Sequence, residues 1–378
     1  MIAKNDKMKT IILIGGGHSH LEAIYRLGEG SLLNDCKLIL ISSETHTSYS
    51  GMIPGLISGH YTFEECHIDL QRLCNKYNCS FIQQSVSKIL PTEQKILTES
   101  ETYHYDLASI NTGSIPNCTS ATGIKEWAIP MKPLIGLAHK IEEFLADVGQ
   151  SPKHTKHKIS IVGGGAAGIE IALALQYQAN GKGYNNLEYS LITAGNDILD
   201  THSLAVRRKF HRILHQRGIT TYYNATVNEV NKDSIKIESK RIIPSDFTIL
   251  ATGAAPTRWP TLSELPTTAN GYITTDRFLQ VKNISNLFAV GDVASIESLT
   301  YPKSGVYAIK QAHVLATNIN NKLRGMPLQA YRPQKNSLAL ISTGDKNAVA
   351  SKNILCASGQ LIWKWKNHID QRFVKKFQ

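Results

Sequence analysis

Two stretches of the chain share one pattern, in which a short apolar run ends in three glycines and a helical run follows. The first is Thr10–His20, where Ile11 to Ile14 precede the glycines, and the second is KISIVGGGAAGIEIALAL from Lys158. A β-rich run that ends in glycines before a helical run predicts a strand, a tight turn and a helix. Such a turn is common between ordinary elements, but it also lets the backbone approach a pyrophosphate at the helix N-terminus.

The first copy departs from the G-x-G-x-x-G spacing, because His20 stands where Gly or Ala is usual, whereas the second copy has Gly168 there. That small residue normally allows the helix to pack closely on its strand. We therefore expect either that the first helix stands slightly off its strand or that the His20 imidazole reaches a polar partner near the pyrophosphate.

Each half then continues in the same order, which indicates an internal duplication. A second strand follows the helix (CKLILIS and YSLITA), then come hairpins, and a last strand ends in T-G-x-x-P at Thr112-Gly113 and at Thr252-Gly253. Between these elements, ECHIDLQRLC predicts a helix, and TTYYNATVNEVNKDSIKIES a pair of β-hairpins. The apolar, irregular stretch SYSGMIPGLISGHY suits close approach to a flat ligand. The predicted class is α/β, with two Rossmann-like domains, parallel central sheets with hairpin additions, and a C-terminal extension.

A third motif, the buried strand Phe288–Asp292 (FAVGD), completes a recognisable set. Together with the two glycine loops it resembles the two-dinucleotide-binding-domain flavoproteins, the pyridine nucleotide–disulfide oxidoreductase superfamily. The resemblance implies an FAD-binding domain of residues 1–125 and 268–325, an NAD(P)-binding domain of residues 126–267 and a C-terminal domain of residues 326–378. It implies FAD contacts by Gly15, Gly17, His18, Glu44, Thr112, Gly113, Gly291 and Asp292, and nucleotide contacts by Gly163, Gly165, Gly168, Thr252 and Gly253.

Within that superfamily the chain resembles type II NADH:quinone oxidoreductases, and most of all the flavoprotein module fused to selenide, water dikinase in some bacteria. The stretches GGGHSH, SYSGMIPGLISGHYTFEECHIDLQRLC, YPKSGVYAIKQ and WKWKNHIDQRF carry this resemblance. It implies an FAD-dependent NAD(P)H dehydrogenase that passes electrons to a quinone-like acceptor. Glu170 and Lys303 are the catalytic candidates, and we expect them to pair. A glutamate in the first turns of a helix also favours the helix dipole without any catalytic role.

Other details leave alternatives open. A sulfide:quinone oxidoreductase would need cysteines at the flavin, for which Cys118 and Cys356 are candidates, and a redox-responsive partner in selenium metabolism is a third reading. Cys74 and Cys79 lie too far along the chain for the catalytic disulfide of the superfamily. Cys66 and His67 either reach the acceptor or pack in the core. The second strand of the nucleotide domain ends at Ala194 with neither an acid nor an arginine, and Asp197 comes late, so NADH is favoured by resemblance only.

Composition changes this picture in one place. The formal net charge is +11, yet the chain has no nucleic-acid-binding motif, no zinc-ligand spacing and no apolar run long enough to span a membrane. Six scattered cysteines suit a reducing cytoplasm. The tail Leu361–Gln378 is a basic amphipathic helix with Ile362, Trp365, Ile369, Phe373 and Phe377 near one face. It is expected either to touch a membrane surface, or to pack on its own domain or on the second subunit of a homodimer.

Overall fold

The computed structural model describes residues 8–30, 36–117, 121–132 and 134–378. The α-helices are α1 His18–Gly28, α2 Ile53–Ile57, α3 Phe63–Cys66, α4 Leu70–Lys76, α5 Ile124–Trp127, α6 Leu134–Gln150, α7 Ala166–Gly181, α8 Leu204–Gln216, α9 Trp259–Leu262, α10 Gly305–Leu323 and α11 Gln360–Lys375. Short 3₁₀ helices cover Ser50–Met52 and Gly291–Val293.

The strands of the first half are β1 Lys9–Ile14, β2 Cys36–Ser42, β3 His46–Ser48, β4 His67–Asp69, β5 Cys79–Gln83, β6 Val86–Leu90, β7 Lys95–Thr98, β8 Thr102–His104, β9 Leu107–Ile110, β10 Ile115–Pro116 and β11 Ala128–Pro130. Those that follow are β12 His157–Val162, β13 Leu187–Ile192, β14 Thr220–Tyr222, β15 Val227–Val230, β16 Ser234–Ile237, β17 Ile242–Pro244, β18 Phe247–Leu250, β19 Ala254–Ala255, β20 Ile273–Thr275, β21 Leu287–Ala289, β22 Ala294–Ile296, β23 Ala339–Ser342, β24 Ala348–Lys352 and β25 Leu355–Gly359.

Two parallel sheets organise the fold, and each places a glycine loop at the end of its central strand. The first has the order β21-β9-β1-β2-β5 and the second β11-β18-β12-β13-β14. Both central strands are buried on both faces, which is why they read as continuous apolar runs rather than as alternating ones. The chain returns to the first sheet with β21 after completing the second. The predicted domain boundaries themselves remain predictions.

The predicted helix over ECHIDLQRLC begins later than expected. The segment His67–Asp69 is a strand that pairs antiparallel with His46–Ser48. Asp69 is the helix N-cap, because its carboxylate accepts a hydrogen bond from the Arg72 amide at 2.9 Å, so α4 starts at Leu70. Likewise only β15 and β16 form a hairpin in TTYYNATVNEVNKDSIKIES, since Thr220–Tyr222 joins the parallel sheet beside β13.

The C-terminal region forms a third layer that covers both domains. The sheet β23-β24-β25 packs against α11, and α11 in turn contacts the Ser50–Met52 turn of the first domain. The stretch SYSGMIPGLISGHY is folded as this 3₁₀ turn followed by α2, with Met52, Ile53 and Ile57 fully buried. The 3₁₀ turn thus contacts α11 of the C-terminal layer, whereas α2 packs on α6 and α7 of the second half.

Candidate cofactor and active site

The first cavity, of about 580 Å³, follows the first glycine loop and the ends of β1, β2 and β9. Most of the residues that the resemblance assigns to FAD line it: Gly15, Gly17, His18, Glu44, Thr112, Gly113 and Asp292. Gly291 lies behind this wall, and its amide donates a hydrogen bond to the Gln311 side chain at 2.7 Å. Glu44 is exposed at the rim, two residues after the last residue of β2.

The walls of this cavity fit a dinucleotide. Gly15 has φ +92°, and a Cβ there would lie 2.6 Å from the Asn111 carbonyl oxygen, so the tight turn requires glycine. The His18 Nε2, Thr112 Oγ1 and Asn111 Oδ1 atoms are buried without a protein partner. Because buried polar atoms are normally satisfied, these atoms are suited to hydrogen bonds with a bound FAD.

His20 reaches polar partners, as one of the two sequence alternatives predicted. The fully buried imidazole places Nδ1 2.7 Å from the Gly15 carbonyl oxygen and Nε2 2.9 Å from the Ser109 hydroxyl on β9. Since a carbonyl only accepts, Nδ1 carries the proton and Nε2 accepts from Ser109. Burial lowers the pKa of His20 to about 4, against the opposing hydrogen bond to Gly15. A neutral histidine thus ties the glycine loop to the neighbouring strand.

The second cavity, of about 610 Å³, repeats this arrangement at the end of β12. Gly163, Gly165, Thr252 and Gly253 line it. Gly163 has φ +133°, and a Cβ there would lie 2.6 Å from the Ala251 carbonyl carbon. Gly168 is buried behind the loop, where a Cβ would collide with the Gly163 carbonyl, so it serves the close approach of α7 to the loop. Its glycine loop lets the backbone approach a pyrophosphate, as in the first cavity, so this cavity fits a pyridine nucleotide.

The two cavities meet at a shared wall of four residues: Ser114, Ile115, Lys132 and Asp292. The Lys132 ammonium lies 3.1 Å from Asp292 Oδ2 and donates to the Ser114 hydroxyl at 3.3 Å. Lys132 comes from the segment after β11 and Asp292 from the Gly-Asp turn, so this ion pair joins the two halves where their ligands would meet. Sequence reasoning missed Lys132, because it belongs to no motif and its partner lies 160 residues away.

Lys303 and Glu170 do not pair, so that expectation was wrong. Lys303 lines the second cavity, donates to the Ala294 carbonyl and lies 4.5 Å from the centre of the Tyr272 ring. Its burial lowers its pKa to about 8, although Asp292 opposes that shift. Glu170 lies on α7 and contacts the C-terminal layer instead. Its carboxylate accepts a hydrogen bond from the Ser342 amide at 2.7 Å. Burial raises the pKa of Glu170 to about 7, and Lys366 partly offsets this shift.

A buried charged cluster lies between α11 and the Ser50–Met52 turn. Lys366 donates to Asp370 at 2.6 Å and to the Gly51 carbonyl, and Tyr49 hydrogen-bonds Asp370. Both charged side chains are at most 10% exposed. Ser50, the neighbour of Gly51, lines the FAD cavity, so the cluster lies directly behind that cavity wall. Glu170 feels the charges of both Lys366 and Asp370.

A family model described as "Pyridine nucleotide-disulphide oxidoreductase" matches residues 9–314. The chain belongs to this family. Among curated relatives, a probable NADH dehydrogenase from Dictyostelium discoideum is 26% identical over 95% of this chain and 83% of its own length. Demethylphylloquinone reductase NdbB from Synechocystis sp. is 25% identical over 90% of this chain and 86% of its own length.

Solved structures share the fold over nearly the whole chain. The sulfide:quinone oxidoreductase of Aquifex aeolicus superposes with a TM-score of 0.83 at 22% identity, covering 98% of this chain and 91% of its own. NDH2 from Plasmodium falciparum in complex with NADH gives 0.82 at 18% identity, covering 98% of both chains. These structures confirm the predicted fold class. Membership of the family confirms the oxidoreductase class and the FAD and NAD(P)H cofactors. The closer resemblance to the module fused to selenide, water dikinase rests on the sequence motifs alone.

The cysteines give no sign of a redox centre in the described part of the chain, because none of them lines either cavity. Cys66 is fully buried in the core of the first domain, and His67 stacks on Phe63 with its Nδ1 2.7 Å from the Phe63 carbonyl oxygen. Both are packed, as the second sequence alternative holds. Cys118 lies outside the described residues, so its pairing with Cys356 stays a hypothesis.

The tail helix divides its apolar residues between two surfaces. Phe373 stacks on Tyr49, and Phe377 is 1% exposed in the core of the first domain. By contrast, Trp365 and Ile369 face outward together with Leu361. Packing on its own domain therefore accounts for two of the five residues of the predicted apolar face, Phe373 and Phe377. Within the described residues, no helix has both the length and the apolarity to cross a bilayer.

Proposed function

We propose that the chain is a membrane-peripheral NAD(P)H:quinone oxidoreductase. The single observation that carries this proposal is the shared wall of Ser114, Ile115, Lys132 and Asp292, at which the nucleotide cavity adjoins the FAD cavity. An intact nucleotide site in contact with a flavin site favours NAD(P)H as electron donor. The names of the two curated relatives, an NADH dehydrogenase and a demethylphylloquinone reductase, support a quinone as acceptor.

In this proposal the protein supplies binding and orientation, while a bound FAD accepts a hydride and releases electrons. Gly15 and Gly163 let the backbone approach the two pyrophosphates. Asp292, held by Lys132, stands at the junction of the sites, where both ligands would meet it. Lys303, between Tyr272 and Tyr301 on the wall of the nucleotide cavity, helps to close that cavity to water.

Reduction of a quinone by NADH consumes one proton, in NADH + H⁺ + quinone → NAD⁺ + quinol. We assign its supply to Glu170 with the Lys366–Asp370 pair, because Lys366 donates to Gly51, next to Ser50 on the FAD cavity wall, and Glu170 feels the charges of both Lys366 and Asp370. The pKa of Glu170, about 7, lets it gain and lose a proton near neutral pH.

A comparison of two acceptors tests this function. Purified FAD-loaded protein should oxidise NADH with a short-chain quinone and with ferricyanide, which takes electrons without protons. Glu170→Gln should lower quinone turnover about tenfold or more and leave ferricyanide turnover unchanged. Absence of quinone reduction by the wild-type enzyme would refute the proposed function, and equal loss with both acceptors would refute the proton role alone.

The sulfide:quinone alternative has less support, since it has little use for the intact nucleotide cavity. The selenium-partner alternative has no specific observation in its favour. A homodimer and a cytoplasmic location remain predictions.

We place the membrane contact on an apolar stripe, Leu361, Trp365 and Ile369, which recurs every fourth residue on the outer face of α11. These side chains are 79%, 46% and 39% exposed, and Ile354 and Leu355 at the tip of the β24–β25 hairpin are also exposed. Lys364, Arg372 and Lys375 are exposed on the same helix, whereas Lys366 and Lys376 are held by Asp370 and Glu22. An apolar stripe with basic flanks suits an anionic membrane interface.

Truncation of the tail would remove Phe377 from the core, so point variants are the sharper test. Leu361→Ser with Trp365→Ser should abolish flotation with vesicles that contain phosphatidylglycerol. Leu262→Ser, which changes an equally exposed leucine on α9, should not. Unchanged flotation of the double variant would refute the docking surface.

A further inference from the structure

The loop after β13 folds back over the glycine loop of the nucleotide site. Thr193, Ala194 and Gly195 line the nucleotide cavity, and the Leu199 amide donates to the Gly164 carbonyl at 2.9 Å. In dinucleotide-binding folds this end of the second strand faces the adenosine ribose, where an acid accepts from the 2′-hydroxyl of NAD or an arginine binds the 2′-phosphate of NADP. Side chains of this loop are therefore placed to choose between the two coenzymes.

The loop has two acids, Asp197 and Asp200; Asp200 is exposed and does not line the cavity, whereas Asp197 is held by two groups of α8. Asp197 Oδ2 accepts from Arg207 Nη1 at 2.7 Å, and Asp197 Oδ1 lies 2.7 Å from His211 Nε2. The Ile198 amide donates to the same Oδ1 at 2.8 Å. Burial opposes ionisation, yet the hydrogen bonds from His211, Ile198 and Arg207 lower the pKa of Asp197, so it is a carboxylate at neutral pH.

The same network is fixed from the other side of the cavity wall. The His211 Nδ1 atom lies 3.0 Å from the Tyr223 hydroxyl, and the next residue, Asn224, donates its amide to the Gly195 carbonyl at 2.9 Å. The ion pair thus sits in a defined position beside the cavity-lining segment. The Arg207 Nε atom is buried without a protein partner, which leaves one donor of the guanidinium available.

This arrangement leaves neither charge free to select a coenzyme. The carboxylate that would favour a 2′-hydroxyl is neutralised by Arg207, and the guanidinium that would favour a 2′-phosphate is neutralised by Asp197. We infer that Asp197 and Arg207 form a charge-balanced selector, which lets the wild-type enzyme use both NADH and NADPH. Removal of either partner exposes the other charge, so the two removals shift coenzyme preference in opposite directions. The inference rests on use of NAD(P)H and is independent of the acceptor.

Anaerobic reduction of the FAD-loaded enzyme by NADH and by NADPH tests the selector without any quinone. Asp197→Asn should shift the ratio of apparent dissociation constants by about tenfold or more toward NADPH, and Arg207→Gln by a similar factor toward NADH. Arg208→Gln, the matched control, removes the neighbouring exposed arginine of α8 and should leave the ratio within about twofold. Shifts of both variants in the same direction, or an equal shift in the control, would overturn the inference.

Wild-type protein alone gives a second test that does not depend on the folding of variants. Adenosine 5′-monophosphate and adenosine 2′,5′-bisphosphate serve as probes of the adenosine end, and their binding to the holoenzyme is measured by calorimetry. A balanced selector predicts affinities within about tenfold of each other, that is within about 1.4 kcal/mol. A preference of about a thousandfold for either probe would show that one charge is free and would overturn the inference.

Discussion

His20→Leu isolates the contribution of one buried imidazole to the glycine loop. The substitution introduces an apolar side chain of similar size and leaves the Gly15 carbonyl and the Ser109 hydroxyl without their partner. Each unsatisfied buried group costs about 1–3 kcal/mol, so for the two groups we expect a loss of about 2–6 kcal/mol in the free energy of unfolding at pH 7.5. Ser109→Ala, which keeps the imidazole but leaves its Nε2 without a donor, should lose about 1–3 kcal/mol.

The pH dependence gives this prediction its sign. Burial lowers the pKa of His20 from 6.5 to about 4, so the folded state binds fewer protons than the unfolded state between these values. Wild-type stability from this group is present above pH 6.5 and is lost as the pH falls toward 4, by at most about 3 kcal/mol. The leucine variant lacks this loss, so its stability deficit should shrink by about 2 kcal/mol between pH 7.5 and pH 5.

Denaturant unfolding followed by tryptophan fluorescence at the two pH values measures the deficit directly. His18 has a similarly lowered pKa, but it is present in both proteins and therefore cancels in the comparison. A deficit that stays constant from pH 7.5 to pH 5 would refute the assignment of a neutral, doubly bonded imidazole.

Three further perturbations address the other parts of the site. Gly163→Ala should slow flavin reduction by NADH about tenfold or more at unchanged FAD content, because φ +133° is strained for alanine. The control Gly181→Ala, at an open position, should not slow it. Equal rates for the two variants would count against a role of the Gly163 turn. Asp370→Asn leaves Lys366 buried without its counter-charge and should destabilise by about 3–5 kcal/mol in thermal unfolding, and added Lys366→Met should restore most of this; no recovery would contradict the pairing. Glu170→Gln should raise the free energy of unfolding by about 1–3 kcal/mol at pH 8 but not at pH 4. The raised pKa of Glu170 means that the wild-type folded state loses stability as the pH rises from 4.5 through about 7, and the glutamine does not ionise. A gain that is the same at both pH values would disprove this cause.

The sequence predicted those features of the fold that local patterns encode. The glycine loops, the strands before them and the Thr-Gly ends appear where apolar runs and glycines place them. ECHIDLQRLC was assigned wrongly, because an apolar spacing typical of a helix also occurs in a short buried strand followed by a capped helix. Asp69 caps the helix at Leu70, so the residues His67–Asp69 before it form the strand.

Pairings between distant segments could not be predicted. Lys132 with Asp292 and Glu170 with Ser342 depend on how the layers stack, and no periodicity records that. The tail shows the same limit. Its amphipathic pattern predicts that Phe373 and Trp365 contact an apolar surface, but it does not identify that surface. Phe373 packs on the first domain, whereas Trp365 remains on the outer surface.

The central claim is that electrons enter from a pyridine nucleotide and leave to a quinone. Anaerobic stopped-flow measurement of flavin absorbance, with NADH, NADPH and sulfide as parallel donors and a quinone added in a second mixing step, tests it most directly. We predict rapid bleaching by the nicotinamide coenzymes, none by sulfide, and rapid return of the oxidised flavin spectrum with quinone. Bleaching by sulfide alone, or reduced flavin that persists in the presence of quinone, would contradict the account.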